Sequence, residues 1–168
     1  MKRLQFRQAV ALLGALTIVG VGGCPAVNGL FALGGRDYSG IYSGNVSTTV
    51  SSVPQVAAPV TDNAYMSVAI DATGNRLIGD RAVAVGDRLA ETFGPFELVY
   101  TIQSIDKSDV AVQSAYSIDA TFSGLPGSGT GSVTLRYSGS NVLEYHENLS
   151  FGDSSVVFKV EKVGTLRK

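Results

Sequence analysis

From Tyr38 to the C-terminus, apolar side chains recur at every second position, and no stretch sustains a 3.6-residue period for three turns. A chain patterned this way is bound to form strands with one apolar face. Clusters of Gly, Asn, Asp, Ser and Pro interrupt it at Pro54 to Asn63, Asp71 to Asn75, Gly86 to Gly94, Asp106 to Ser108, Gly124 to Thr130, Ser138 to Asn141 and Gly152 to Ser154. The intervening pieces predict about eight strands, over 39–51, 64–71, 76–85, 95–105, 109–122, 131–138, 142–151 and 155–163. Residues 86–92 (GDRLAET) could instead hold a helical turn.

Side-chain parity fixes which faces meet, because a slip of one residue turns every core residue outward. Phe96, Leu98, Tyr100 and Ile102 share one face, and Val110, Val112, Tyr116, Ile118 and Phe122 share that of the next strand. Pairing Ile102 with Val112 and Leu98 with Tyr116 satisfies both, around a hairpin near Lys107. The same rule pairs Tyr137 with Leu143 and Leu135 with Tyr145, which sets Arg136 against Glu144 on the opposite face. For the last hairpin it sets Phe151 opposite Val156 and Leu149 opposite Phe158. The short connections predict an all-β domain built as a single antiparallel meander, closed as an up-and-down barrel, with a two-sheet β-sandwich as the alternative. The opening Gly40-Ile41-Tyr42-Ser43-Gly44 resembles the first strand of lipocalin-like barrels, although this chain has no Trp.

The N-terminus is patterned differently. Lys2, Arg3 and Arg7 precede an uncharged aliphatic run from Ala9 to Gly23, and Cys24 follows it directly. A run of about 15 residues makes a helix of about 22 Å, short for a hydrocarbon core of roughly 30 Å and suited to a signal-peptide core. Val21-Gly22-Gly23-Cys24 resembles the lipobox of bacterial lipoproteins: an aliphatic residue, two small residues, then the Cys that receives a diacylglyceryl group. That resemblance implies cleavage before Cys24 and a membrane anchor of two or three acyl chains, enough for stable attachment. Pro25, rather than Asp, after the Cys favours the outer membrane in a Gram-negative envelope. The expected organisation is a signal peptide over 1–23, a lipidated Cys and tether over 24–37, the β-domain over 38–163 and a tail over 164–168.

Charge and composition narrow the function. A formal net charge of −1 leaves no Lys/Arg excess for a phosphate backbone, which argues against nucleic-acid binding. One Cys allows neither an intrachain disulfide nor a cysteine-rich zinc site. No Gly-x-Ser-x-Gly nucleophile elbow occurs. Gly127-Ser128-Gly129-Thr130-Gly131 lacks the Lys and helix of a phosphate loop and reads as a flexible hairpin connection. The single His, His146, falls on the polar face, opposite Thr134 and Glu161. Asp71, Asp106, Asp109 and Asp153 are placed to cap turns. No catalytic group, metal site or cofactor is therefore expected.

The apolar faces carry a few polar groups. Tyr100, Tyr116, Tyr137 and Tyr145 have core-facing parity, and a core phenol needs a hydrogen-bond partner. Glu147 shares the face of Leu143, Tyr145, Leu149 and Phe151, while Lys162 has core-facing parity on the last strand. The bland reading pairs Glu147 and Lys162 diagonally near a barrel rim; the functional one makes them an internal polar handle. Tyr100, Tyr116, Tyr145 and Glu147 are the candidate ligand-lining residues. The Pro-containing stretch Val53 to Val60 is expected to cover a barrel end. The function expected is that of an envelope lipoprotein with a non-catalytic β-domain, binding a small amphipathic ligand or an envelope partner. The alternative is a structural or assembly role without a pocket. Cys24→Ala should abolish fatty-acid labelling and leave uncleaved precursor or a released soluble form; labelling that survives the substitution would contradict the anchor.

Overall fold

The computed structural model describes residues 39–70, the backbone of 76–77, and residues 84–108, 110–139 and 141–168. Cys24, the lipobox and the tether lie outside the described residues. The described strands are β1 (Gly40–Val53), β2 (Val60–Ile70), β3 (Arg76–Leu77), β4 (Arg88–Phe93), β5 (Phe96–Lys107), β6 (Ala111–Phe122), β7 (Leu125–Tyr137), β8 (Val142–Gly152) and β9 (Val157–Arg167). All nine belong to one sheet in the order β3-β2-β1-β9-β8-β7-β6-β5-β4. Every pairing is antiparallel, and β1 joins β9, so the first and last long strands lie side by side. This is a meander in a single curled, barrel-like sheet, and the two-sheet alternative is set aside.

The curl is read from side chains that meet across the interior. Phe96 on β5 lies 4.8 Å, ring centre to ring centre, from Phe158 on β9 and 5.2 Å from Phe151 on β8. A flat sheet, with neighbouring strands about 4.8 Å apart, would hold β5 and β9 nearly 20 Å apart. Together with Phe122, these rings fill one end of the interior. The alternation predicted from sequence supplies the rest: Tyr42, Val46, Leu98, Ile118, Leu135, Leu143, Leu149, Val160 and Leu166 are all buried.

Several registers differ from expectation by an even step, which preserves the faces. The exception is the far end of β5, where a bulge offsets the pairing by one and Val112 stands opposite Lys107. Val110, expected on the core face, precedes β6 and is exposed. Leu98 stands opposite Ala120, not Tyr116, and Ile102 opposite Tyr116, not Val112. The cause is that β5 runs on to Lys107, with a bulge at Gln103, and that the connection to β6 is tied by Ser108, whose hydroxyl accepts from the Ala111 N–H at 3.1 Å. Phe151 faces Phe158 and Leu149 faces Val160, rather than Val156 and Phe158. That turn is two residues longer than the expected pairing allows. Asp153 closes it by accepting from the Ser155 and Val156 N–H groups at 2.7 and 3.0 Å. The Ser155 hydroxyl and then these amides hold the Asp153 carboxyl below its ordinary range, so its support for the turn is complete above that range and lost as pH falls through the lowered value. The β7–β8 hairpin has the expected register, with Leu135 opposite Tyr145 and Arg136 opposite Glu144.

Three segments are corrected outright. Residues 88–93, expected within a break or helical turn, form β4. Residues 125–130, expected as a flexible connection, are the first half of β7, because Ser123 and Gly124 make a two-residue turn with φ of 49° and 79°. β9 continues to Arg167, through the expected tail. Of the third predicted strand, Arg76 and Leu77 are described as strand, and residues 78–83 lie outside the described residues. The stretch after Val53 is an exposed connection between β1 and β2.

The glycines of β7 explain how neighbouring strands close up. A Cβ at Gly129 would lie 2.0 Å from the Ser150 carbonyl oxygen and 2.6 Å from the Phe151 Cα, both backbone atoms of β8. Gly129→Ala should therefore lower stability in urea unfolding by about 3 kcal/mol or more. Gly124→Asn, at a left-handed turn position with nothing within 4 Å, should cost less than about 1 kcal/mol. Equal losses would contradict the close approach of β7 and β8.

Candidate functional site

Inside the curled sheet, beside the aromatic end, lies a cluster of charged and phenolic groups. Lys162 on β9 and Glu147 on β8 are direct register partners, not a diagonal pair, and they lie deep in the interior rather than at a wet rim. Their exposures, 3% and 1%, are those of core residues. Lys162 Nζ sits 3.1 Å from Glu147 Oε2, which also accepts a hydrogen bond from the Tyr145 hydroxyl at 2.7 Å. The same ammonium lies 3.7 Å from Glu91 Oε1 on β4 and 5.5 Å from the centre of the Phe93 ring. Glu91 Oε2 accepts from the Tyr100 hydroxyl at 2.8 Å. Tyr100 in turn packs edge-on against Tyr116, ring centres 5.7 Å apart.

All four sequence candidates, Tyr100, Tyr116, Tyr145 and Glu147, thus face the interior. Tyr100, Tyr145 and Glu147 belong to one cluster organised by Lys162, and Tyr116 adjoins it through its ring. Glu91 and Phe93 were not among them, because β4 was read as a break. A signal was present: Leu89, Glu91 and Phe93 share a parity, and a carboxylate in the middle of an apolar face conceals the alternation. Lys162 does have the parity that sequence analysis assigned to it.

The electrostatics follow from burial. An unpaired ammonium or carboxylate in an apolar interior is strongly unfavourable, whereas an ammonium between two carboxylates, each also bonded by a phenol, is tolerated. The ring face of Phe93 adds a further attraction to the cation. Taken as ionised, one Lys and two Glu leave this interior with one excess negative charge.

His146 lies on the other face. It stands opposite Thr134 as expected, and opposite Val163 rather than Glu161 on β9. Its Nε2 nevertheless reaches Glu161 Oε1 at 3.1 Å, with both side chains about half exposed. Nearby on this outer face, Thr49, Ser51, Ser132, Asn148 and Ser150 border an open groove whose lining also includes Tyr116. Among the described residues, no group of three or more His, Cys, Asp or Glu is placed to hold a metal ion. No helix among the described residues is long and apolar enough to cross a membrane.

No family model, curated protein or solved structure matches the chain.

The cluster makes a stability prediction. Lys162→Met strands two carboxylates in the interior and should cost about 3–5 kcal/mol in urea unfolding. Lys162→Met combined with Glu147→Leu removes the buried pair together and should recover more than half of that loss. A double variant less stable than the single one would contradict the ion pair.

Proposed function

We propose that this chain is a lipid-anchored protein of the bacterial cell envelope, with the outer membrane favoured if the cell is Gram-negative, whose β-domain binds a small amphipathic ligand without chemical turnover. The observation that carries the ligand reading is the convergence of Tyr100, Tyr145, Glu147 and Lys162 on one polar point within an otherwise apolar interior. Ligand sites in barrels have this composition, a mostly apolar lining with a few polar groups that orient the guest. The anchor reading rests on Cys24, the chain's single thiol, at the end of a short apolar run. β1 begins at the sheet end where Lys168 Nζ donates to the Ser39 carbonyl, so a tether from Cys24 would join the domain there. Non-catalytic binding is supported by the position of His146, across the sheet from the interior cluster and engaged with Glu161.

A structural or assembly role is the second reading. The observation in its favour is that both carboxylates already have partners within the protein, as a purely structural core requires.

Methyl NMR of the full-length chain in lipid nanodiscs separates the two, with decanoate, decanol and decyltrimethylammonium as probes. The ligand reading predicts saturable shifts at Leu98 and Leu149 with at least one probe. Unchanged interior methyls with all three would favour the structural role.

A further inference from the structure

We propose that Glu91 is a built-in stand-in for a ligand's carboxylate, so that strand β4 competes with an anionic amphiphile for Lys162 and Tyr100. The proposal rests on the small-ligand reading above and names the chemical class of that ligand: a carboxylate head on an apolar tail.

The two carboxylates on Lys162 are held unequally. Glu147 is 3.1 Å away, on a strand directly paired with β9, and is fixed further by Tyr145. Glu91 is 3.7 Å away and its side chain is 14% exposed. It belongs to β4, one of the two end strands of the described sheet, which pairs along one edge with β5. A six-residue strand held on one edge separates at less cost than β5 to β9, which are paired along both edges.

When β4 moves away, Lys162 Nζ and the Tyr100 hydroxyl lose a carboxylate that both had faced. They are two donors aimed at one anionic group, the arrangement that recognises a carboxylate by charge-assisted hydrogen bonds. Exchange of one carboxylate for another leaves the interior charge unchanged. A cationic head would meet the ammonium of Lys162, and an alcohol would supply a hydrogen bond without the charge. Leu89, Glu91 and Phe93 leave the interior together with β4, and the space they vacate borders Leu98, the register partner of Glu91, and Lys162. Leu149 and Val160 are the next inward residues beside Glu147 and Lys162 on β8 and β9. An acyl tail fits that apolar surface.

The test is competition between decanoate, decanol and decyltrimethylammonium, read from the Leu98 and Leu149 methyl resonances of the full-length chain in nanodiscs. Wild type should prefer decanoate, and Glu91→Gln should bind it about tenfold more tightly, the scale of one charge-assisted contact. Lys162→Met/Glu147→Gln, which removes the ammonium without stranding its fixed partner, should lose the preference while keeping dispersed methyl spectra. If that variant fails to fold, Tyr100→Phe should still weaken decanoate binding severalfold. Decanoate affinity unchanged or lowered in Glu91→Gln, or equal binding of all three probes, would overturn the proposal and leave the ligand reading intact. Absence of binding by every probe to every variant would remove the ligand reading itself, and this proposal with it.

Discussion

A single ammonium group, that of Lys162, connects strands that the backbone ladder leaves apart. Hydrogen bonds between neighbouring strands hold a sheet together but do not by themselves bring its ends round. Lys162 reaches Glu147 on the adjacent strand β8 and, across the interior, Glu91 and the Phe93 ring on β4. Such a group is expensive to bury, so its neighbours are constrained in return: each carboxylate needs its phenol, and each phenol needs its strand in register. The curl, the register of β8 against β9 and the seat of β4 therefore depend on one another.

The aromatic end supports the same geometry by different physics. Phe96, Phe122, Phe151 and Phe158 meet in tilted, edge-on and stacked pairs, each pair contributing about 0.5–1.5 kcal/mol beyond the area it buries. Gly127 and Gly129 permit this crowding, because any side chain there would collide with the β8 backbone. The glycine-rich run is thus a packing feature of β7 and neither a loop nor a phosphate site. The non-directional part of the interior sits at this end, with the directional, ionic part beside it.

What could be read from the sequence follows from these differences. Period-2 alternation determines faces, and the faces of β5 to β9 were legible because Leu98, Ile118, Leu135, Tyr145 and Val160 all point inward. Alternation is blind to sliding by two or four residues, since every face survives such a shift. That is why Leu98 was set opposite Tyr116 and Phe151 opposite Val156; the bulge at Gln103 and the Asp153 turn decide those offsets, and both are local. β4 was missed for a related reason. Its inward row is Leu89, Glu91, Phe93, and the central charge belongs inside only because Lys162, more than 70 residues later, meets it there. Of the candidate site, the tyrosines and Glu147 were legible from parity, while their convergence on Lys162 is a property of the curl.

The central claim is that β4 is held against β9 through the interior, and the contact between the Phe93 ring and the Lys162 side chain reports it most directly. Nuclear Overhauser effects between the Phe93 ring protons and the Lys162 Cε protons, measured on the full-length chain in nanodiscs, are the decisive observation. The account predicts clear cross-peaks together with slow exchange of the β4 amides bonded to β5. Absence of those cross-peaks, with β4 amides exchanging as fast as unstructured chain, would contradict it.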